Sequence, residues 1–243
     1  MIRLESEKGE MLSDFSMKYE GPFTEPAFKE RISFGSHKKQ DWDLVRRRQD
    51  LKEVFPVWYA LGQVTPSAGF GENRSASLFD EIDGTEKIGK EQSYLNLFYA
   101  GFEGVLCPRG EDRDHLGFEL SPVGGGLSAT PLLSEGWKRI RQMFVSVSDG
   151  TLCVLPELLP LFHSGRMIGI QLEGIGELDI EWSKKQIRRM QLRSEMEGEL
   201  HLAFQKQLKS YRIESERMKE RVSVGEPLEV QKGVLYEFDQ FQK

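Results

Sequence analysis

An α+β fold is the class this sequence predicts: a mainly antiparallel sheet, an N-terminal helical segment and a long C-terminal amphipathic helix packed on the sheet. Three observations predict it. Between residues 93 and 182 short apolar runs alternate with tight turns, chief among them Asp149-Gly150. Residues 41–55 place Leu44, Val45, Leu51, Val54 and Phe55 near helical spacing. From Met196 an apolar stripe passes through Leu200, Phe204, Leu208, Tyr211, Ser215, Met218 and Val222 in steps of three and four.

Residues 1–65 read as a loop-rich segment holding one helix, which Pro56 ends. Residues 66–92 are rich in Gly, Ser, Thr and acids and read as a mobile loop or linker. Residues 93–243 carry the sheet and the long helix, and the three parts make one integrated domain. Tyr94–Ala100, Phe102–Cys107, Leu116–Leu120 and Leu127–Leu133 read as strands, with a short helix over Gly136–Gln142. Phe144–Ser148 and Thr151–Leu155 form a hairpin, because Asp-Gly supplies the two left-handed positions of a type I′ turn. A second hairpin joins Met167–Glu173 to Glu177–Trp182, and Val234–Phe241 alternates weakly as a last strand.

The long helix is predicted to open at Ser183. Ser183 and Gln186 have the spacing of a capping box, with Trp182 and Ile187 as the flanking hydrophobic staple. Gly225 and Pro227 close it. Its start breaks a rule. Lys184, Lys185, Arg188, Arg189 and Arg193 crowd the positive end of a helix dipole, where acids belong. A broken local rule marks a functional place, and this one points to an anion.

The overall balance limits the classes of partner. With 38% apolar and 30% charged residues the chain has a real core and a wet surface. A net charge of −6 argues against a protein coated in nucleic acid, yet residues 184–221 hold eleven cations against six carboxylates. Lys138, Arg139 and Arg141 form a second, smaller basic cluster. The nearest internal counter-charge is Glu173, Glu177, Asp179 and Glu181; the last three alternate along a strand and share its wet face. These four are weak candidates for a divalent metal, and neutralisation of the basic cluster within the chain is the plainer role.

No catalytic motif stands out. Gly124-Gly125-Gly126 lacks the Gly-Lys-Ser/Thr continuation of a phosphate loop, and the four histidines have no metal-ligand spacing. No cofactor is implied. The reading is a non-catalytic protein whose basic cluster binds an acidic protein surface. Single-stranded RNA held by the same cations and a metal-dependent hydrolase using the acidic hairpin are the alternatives. Two cysteines in apolar runs, no leader and no long apolar stretch suggest a reducing, cytoplasmic location.

Overall fold

Alternation of apolar and polar side chains builds most of this chain, and it does so further than the sequence reading foresaw. The computed structural model describes residues 2–5, 11–15, 30–35, 44, 47–48, 50–65, 93–94, 129–156 and 158–243. Thirteen strands and two helices have defined bounds among them. Strands β1 (Ile2–Glu5) and β2 (Met11–Phe15) pair with each other, and β3 is Arg31–Ser33. Helices α1 (Leu51–Val64) and α2 (Ala129–Phe144) follow. Then come β4 (Val145–Ser148), β5 (Thr151–Val154), β6 (Ser164–Leu172), β7 (Gly176–Ser183) and β8 (Gln186–Ser194). The chain ends with β9 (Gly198–Ala203), β10 (Ser210–Glu214), β11 (Lys219–Ser223), β12 (Leu228–Val230) and β13 (Leu235–Gln242).

The predicted long C-terminal helix does not exist. Residues 183–224 form strands and the turns between them, and the described residues are mostly antiparallel sheet with two short helices of defined bounds. Ser183 and Gln186 are cross-strand partners that close a two-residue turn, not the ends of a capping box. The helical stripe collected one buried residue from each of several short strands and passed over their partners two residues on. Leu200 with Leu202, and Tyr211 with Ile213, are buried as period-two pairs.

Seven strands form one antiparallel sheet in the order β11-β10-β13-β8-β7-β6-β3. Four more form a second sheet, β12-β9-β5-β4, in which β5 and β9 run parallel. One apolar cluster joins both sheets and both helices. On β7 the inward positions are Leu178, Ile180 and Trp182, all at 1% exposure or less. Trp182 anchors this layer: its indole N–H donates to the Phe162 carbonyl at 2.9 Å, and its ring lies 5.1 Å from Phe144.

Asp50 caps α1 by accepting from the Lys52 N–H at 3.0 Å. Pro56 was expected to end this helix but sits inside it. It removes one backbone bond, yet Val54, Phe55, Trp58 and Tyr59 are buried on the same helix and hold its later turns in place. This helix begins at Leu51; of the residues read as helical before it, Leu44, Arg47 and Arg48 are helical, and 41–43, 45–46 and 49 lie outside the described residues. Helices α1 and α2 approach closely at two glycines. A Cβ at Gly62 would fall 2.5 Å from the Leu133 carbonyl, and one at Gly136 would fall 2.5 Å from Trp58 Cζ2.

Both hairpins read from the sequence are present. Asp149 (φ 51°) and Gly150 (φ 74°) turn β4 into β5, and β6 pairs with β7 in antiparallel register. The last strand is also there, as β13. The stretch read as strand over Leu127–Leu133 belongs instead to α2 from Ala129 onward. The linker 66–92, the strands read beyond Tyr94 and before 127, Cys107 and Gly124–Gly126 lie outside the described residues.

Candidate functional site

The basic cluster at 184–193 is carried by the β7–β8 hairpin. Lys184 and Lys185 are its whole turn, with φ of 52° and 60°. A two-residue loop with both residues left-handed is a type I′ turn, for which Asn-Gly is the favoured pair. Each lysine held there costs about 1 kcal/mol in backbone strain. The turn is pinned in place: the Lys185 N–H donates to the His163 carbonyl at 2.8 Å, and Gln205 Nε2 donates to the Lys185 carbonyl at 2.6 Å. Both lysine side chains are exposed.

Arg188 is the next exposed cation, and it is an insertion. Trp182 pairs with Ile187 while Glu181 pairs with Arg189, so Arg188 has no partner residue across the strand. This bulge turns two successive side chains, Arg188 and Arg189, to solvent. Arg188 Nε donates to Ser183 Oγ at 3.0 Å, which places it on the open face of the sheet.

Register then shows which residues share that face. Glu181 lies opposite Arg189 on one side and Arg166 on the other, while Ser183 lies opposite Ser164. On the next strand Ser33 faces Arg166, and Arg31 faces Ile168. Residues directly opposite in an antiparallel pair point to the same side. Arg31, Arg166, Lys184, Lys185, Arg188 and Arg189 therefore gather at one end of the open face, against Glu181 and Asp179. Among the described residues none of the six cations is in a salt bridge. A groove of about 630 Å³ runs over β3, β6 and the end of β7, lined by Arg31, Ser33, Ser164, Arg166, Glu181 and Ser183. A smaller one of about 440 Å³ continues across β8 and β13 past Arg189 and Asp239.

Arg31 and Arg166 were absent from the sequence reading. Arg31 lies in a stretch that reads as loop, and only the pairing of β3 with β6 brings it near Arg166. The period-two spacing of Ser164, Arg166 and Ile168 was a visible sign that Arg166 shares a wet face.

The other basic residues lie elsewhere. Arg193 faces Glu177, seven residues along β7 from Lys184, or roughly 23 Å at about 3.3 Å per residue. Arg141 belongs to that same far end. Its Nη2 donates to the Gln171 carbonyl at 2.6 Å and its Nε to Glu30 Oε2 at 3.1 Å. Glu30, buried at 6% exposure, also accepts from the Tyr59 hydroxyl and, at 3.0 Å, from the Gln171 N–H. Where β3 stops, a carboxylate and a guanidinium thus satisfy the edge of β6 in place of a strand. Lys138 pairs with Glu135 at 2.8 Å along α2, and Arg139 is half-buried on the same helix. The two basic clusters are therefore not one patch.

Two of the four acids have structural contacts. Asp179 Oδ1 accepts from the Gly169 N–H at 2.6 Å and fills the bulge in β6, while Glu177 Oε2 accepts from Gln171 Nε2 at 3.0 Å. Glu173 lies in the β6–β7 turn. Among the described residues no three His, Cys, Asp or Glu side chains gather closely enough to hold a metal ion. Further along the open face Arg212 and Asp239 form a two-pronged pair, with Nε to Oδ1 at 2.7 Å. The Arg212 hydrogen bonds hold the Asp239 carboxyl below its usual range. Among the described residues no helix is long and apolar enough to cross a membrane.

No known protein family matches this chain, and no curated protein matches it.

Proposed function

We propose that this is a non-catalytic interaction protein that holds an acidic protein surface with the cations at the tip of the β7–β8 hairpin. The observation that carries the reading is the turn itself. Lysines occupy both left-handed positions of a type I′ turn, where Asn-Gly would be more stable. A residue kept against local preference is paid for by something outside the turn. Around it stand four arginines with no salt bridge among the described residues, on a backbone fixed by Trp182, His163 and Gln205. A rigid cluster in which cations outnumber carboxylates steers and orients an anionic partner.

A protein partner fits better than RNA. Sequence-tolerant RNA binding draws on aromatic faces for stacking. The large apolar side chains that are exposed among the described residues are Leu44, Leu61, Val64, Val147 and Leu235, and none is aromatic. The hydrolase reading has the least support, because Asp179 and Glu177 already serve the β6 backbone and side chains.

Labelled poly-glutamate and single-stranded RNA, titrated side by side in fluorescence anisotropy, separate the readings. Salt-sensitive binding of poly-glutamate that a Lys184→Glu/Lys185→Glu/Arg188→Glu variant loses is the expected result. RNA binding tighter than poly-glutamate binding, falling with salt by roughly 0.7 log units per phosphate contact per decade, would transfer the site to nucleic acid.

A further inference from the structure

We propose that the groove over β3, β6 and the end of β7 seats a phosphate monoester on the partner, so that the acidic protein is recognised at a phosphoserine or phosphothreonine. The inference rests on the reading of the hairpin tip as an acidic-partner site and names what lies beside the tip.

The groove brings together donors of the kind a phosphate dianion uses. Arg31 and Arg166 line it from two adjacent strands, Ser33, Ser164 and Ser183 add hydroxyls on the same face, and Arg188 stands at its rim through its bond to Ser183. Arg31 and Arg166 are diagonal neighbours on adjacent strands, a spacing of about 7–8 Å that long side chains bridge. A carboxylate has two oxygens and satisfies one guanidinium fork. A phosphate monoester has three acceptor oxygens and a charge of about −1.5 to −2, enough to engage forks from separate strands at once. Glu181 sharpens the choice. It lies between Arg166 and Arg189 and repels any anion, so a ligand must bring enough charge to outweigh it.

The groove's surroundings favour a protein-borne phosphate over a lipid headgroup. Its apolar lining, Ile32, Phe34, Ile168 and Trp182, is buried or half-buried and forms the floor, and none of the large exposed apolar residues borders it, so no apolar side chain projects from it into a membrane. The lysine turn beside it matches acidic residues flanking the phosphorylated one. Charge therefore divides the labour: Lys184 and Lys185 attract acidic sequence in general, while Arg166 and Arg31 read the phosphate.

The test uses the full chain and three versions of one short Glu-rich peptide, with serine, phosphoserine or glutamate at its centre, in anisotropy at moderate salt. The phosphoserine peptide is expected to bind at least about tenfold tighter than the other two, as charge-assisted bidentate contacts allow. Arg166→Gln and Arg31→Gln should each bring that ratio towards one. Lys184→Gln/Lys185→Gln should weaken all three peptides alike and leave the ratio intact. Both arginines are exposed, and thermal melts matching wild type verify that these variants fold. Equal binding of the phosphoserine and glutamate peptides by wild type overturns the phosphate inference and spares the acidic-partner reading. Binding of none of the three overturns both. Vesicles carrying a phosphoinositide supply the last arm, and tighter binding to them than to the phosphoserine peptide would also overturn the proposal.

Discussion

Replacing Arg141 by methionine separates the architecture of this protein from its site. The guanidinium makes two charge-assisted bonds, to Glu30 Oε2 at 3.1 Å and to the Gln171 carbonyl at 2.6 Å. Its side chain is 21% exposed and that of Glu30 7%, so the pair is mostly out of water. Deleting one partner of such a pair costs about 3–5 kcal/mol, because the other charge stays buried without compensation. Here Glu30 keeps the Tyr59 hydroxyl and the Gln171 N–H, which lowers the expected loss to about 2–3 kcal/mol. A chain of this size loses about 2–4 °C of Tm per kcal/mol, so the melting point should fall by about 5–10 °C. Urea unfolding of wild type and variant, followed by far-UV circular dichroism, measures the loss directly. Lys138→Gln, which breaks a half-exposed pair on the same helix, is the control and should cost under about 1 kcal/mol. A loss for Arg141→Met no larger than this control would refute the reasoning. Binding of acidic peptides should be unchanged, since Arg141 contacts the far end of β6; weakened binding by the folded variant would return Arg141 to the site.

Two further expectations concern burial. Burial, with the Glu30 carboxylate beside it, holds the Tyr59 phenol far above the ordinary tyrosine range; burial with Glu226 and Glu220 nearby pushes Tyr211 up to about 12. Raised folded-state values mean the unfolded chain gives up these protons first, so stability is intact below about pH 10 and falls as pH rises. The slope is about 1.4 kcal/mol per pH unit for each tyrosine, with the Tyr211 share complete by about pH 12. Tyr211→Phe should flatten the decline between pH 10 and 12 in a urea series, and an unchanged slope would count against its burial. Gly136→Ala gains about 1 kcal/mol in helix propensity but drives a methyl into the Trp58 ring. A net loss of about 1–3 kcal/mol is expected from overpacking, and a gain in the urea midpoint would contradict the close α1–α2 approach.

How much of this fold could be read from the sequence depended on turn chemistry. Asp149-Gly150 and the Gly-rich β6–β7 turn announce themselves, and the strands on either side were found. Lys184-Lys185 carries no such sign, because neither residue favours positive φ. The bulge at Arg188 then hid β8, since two exposed residues in succession break the alternation that Met190, Leu192 and Ser194 resume. Ser183 and Gln186 completed the deception, their spacing being the same for a turn's closing pair and a capping box. The face shared by Glu177, Asp179 and Glu181 was legible because alternation alone sets it. Arg31 and Arg166 were not, because they meet only through the long-range pairing of β3 with β6. The cluster itself was found for a mistaken reason: its residues do violate local preference, but that of a type I′ turn and not that of a helix dipole.

The central claim is that the two turn lysines are kept for a partner at the expense of the fold. Lys184→Asn/Lys185→Gly tests it by measuring stability and acidic-peptide binding on the same protein. Asn-Gly suits both left-handed positions, so the account predicts a gain of about 1–2 kcal/mol together with binding weakened by about tenfold or more. A more stable variant that binds as tightly as wild type would contradict it.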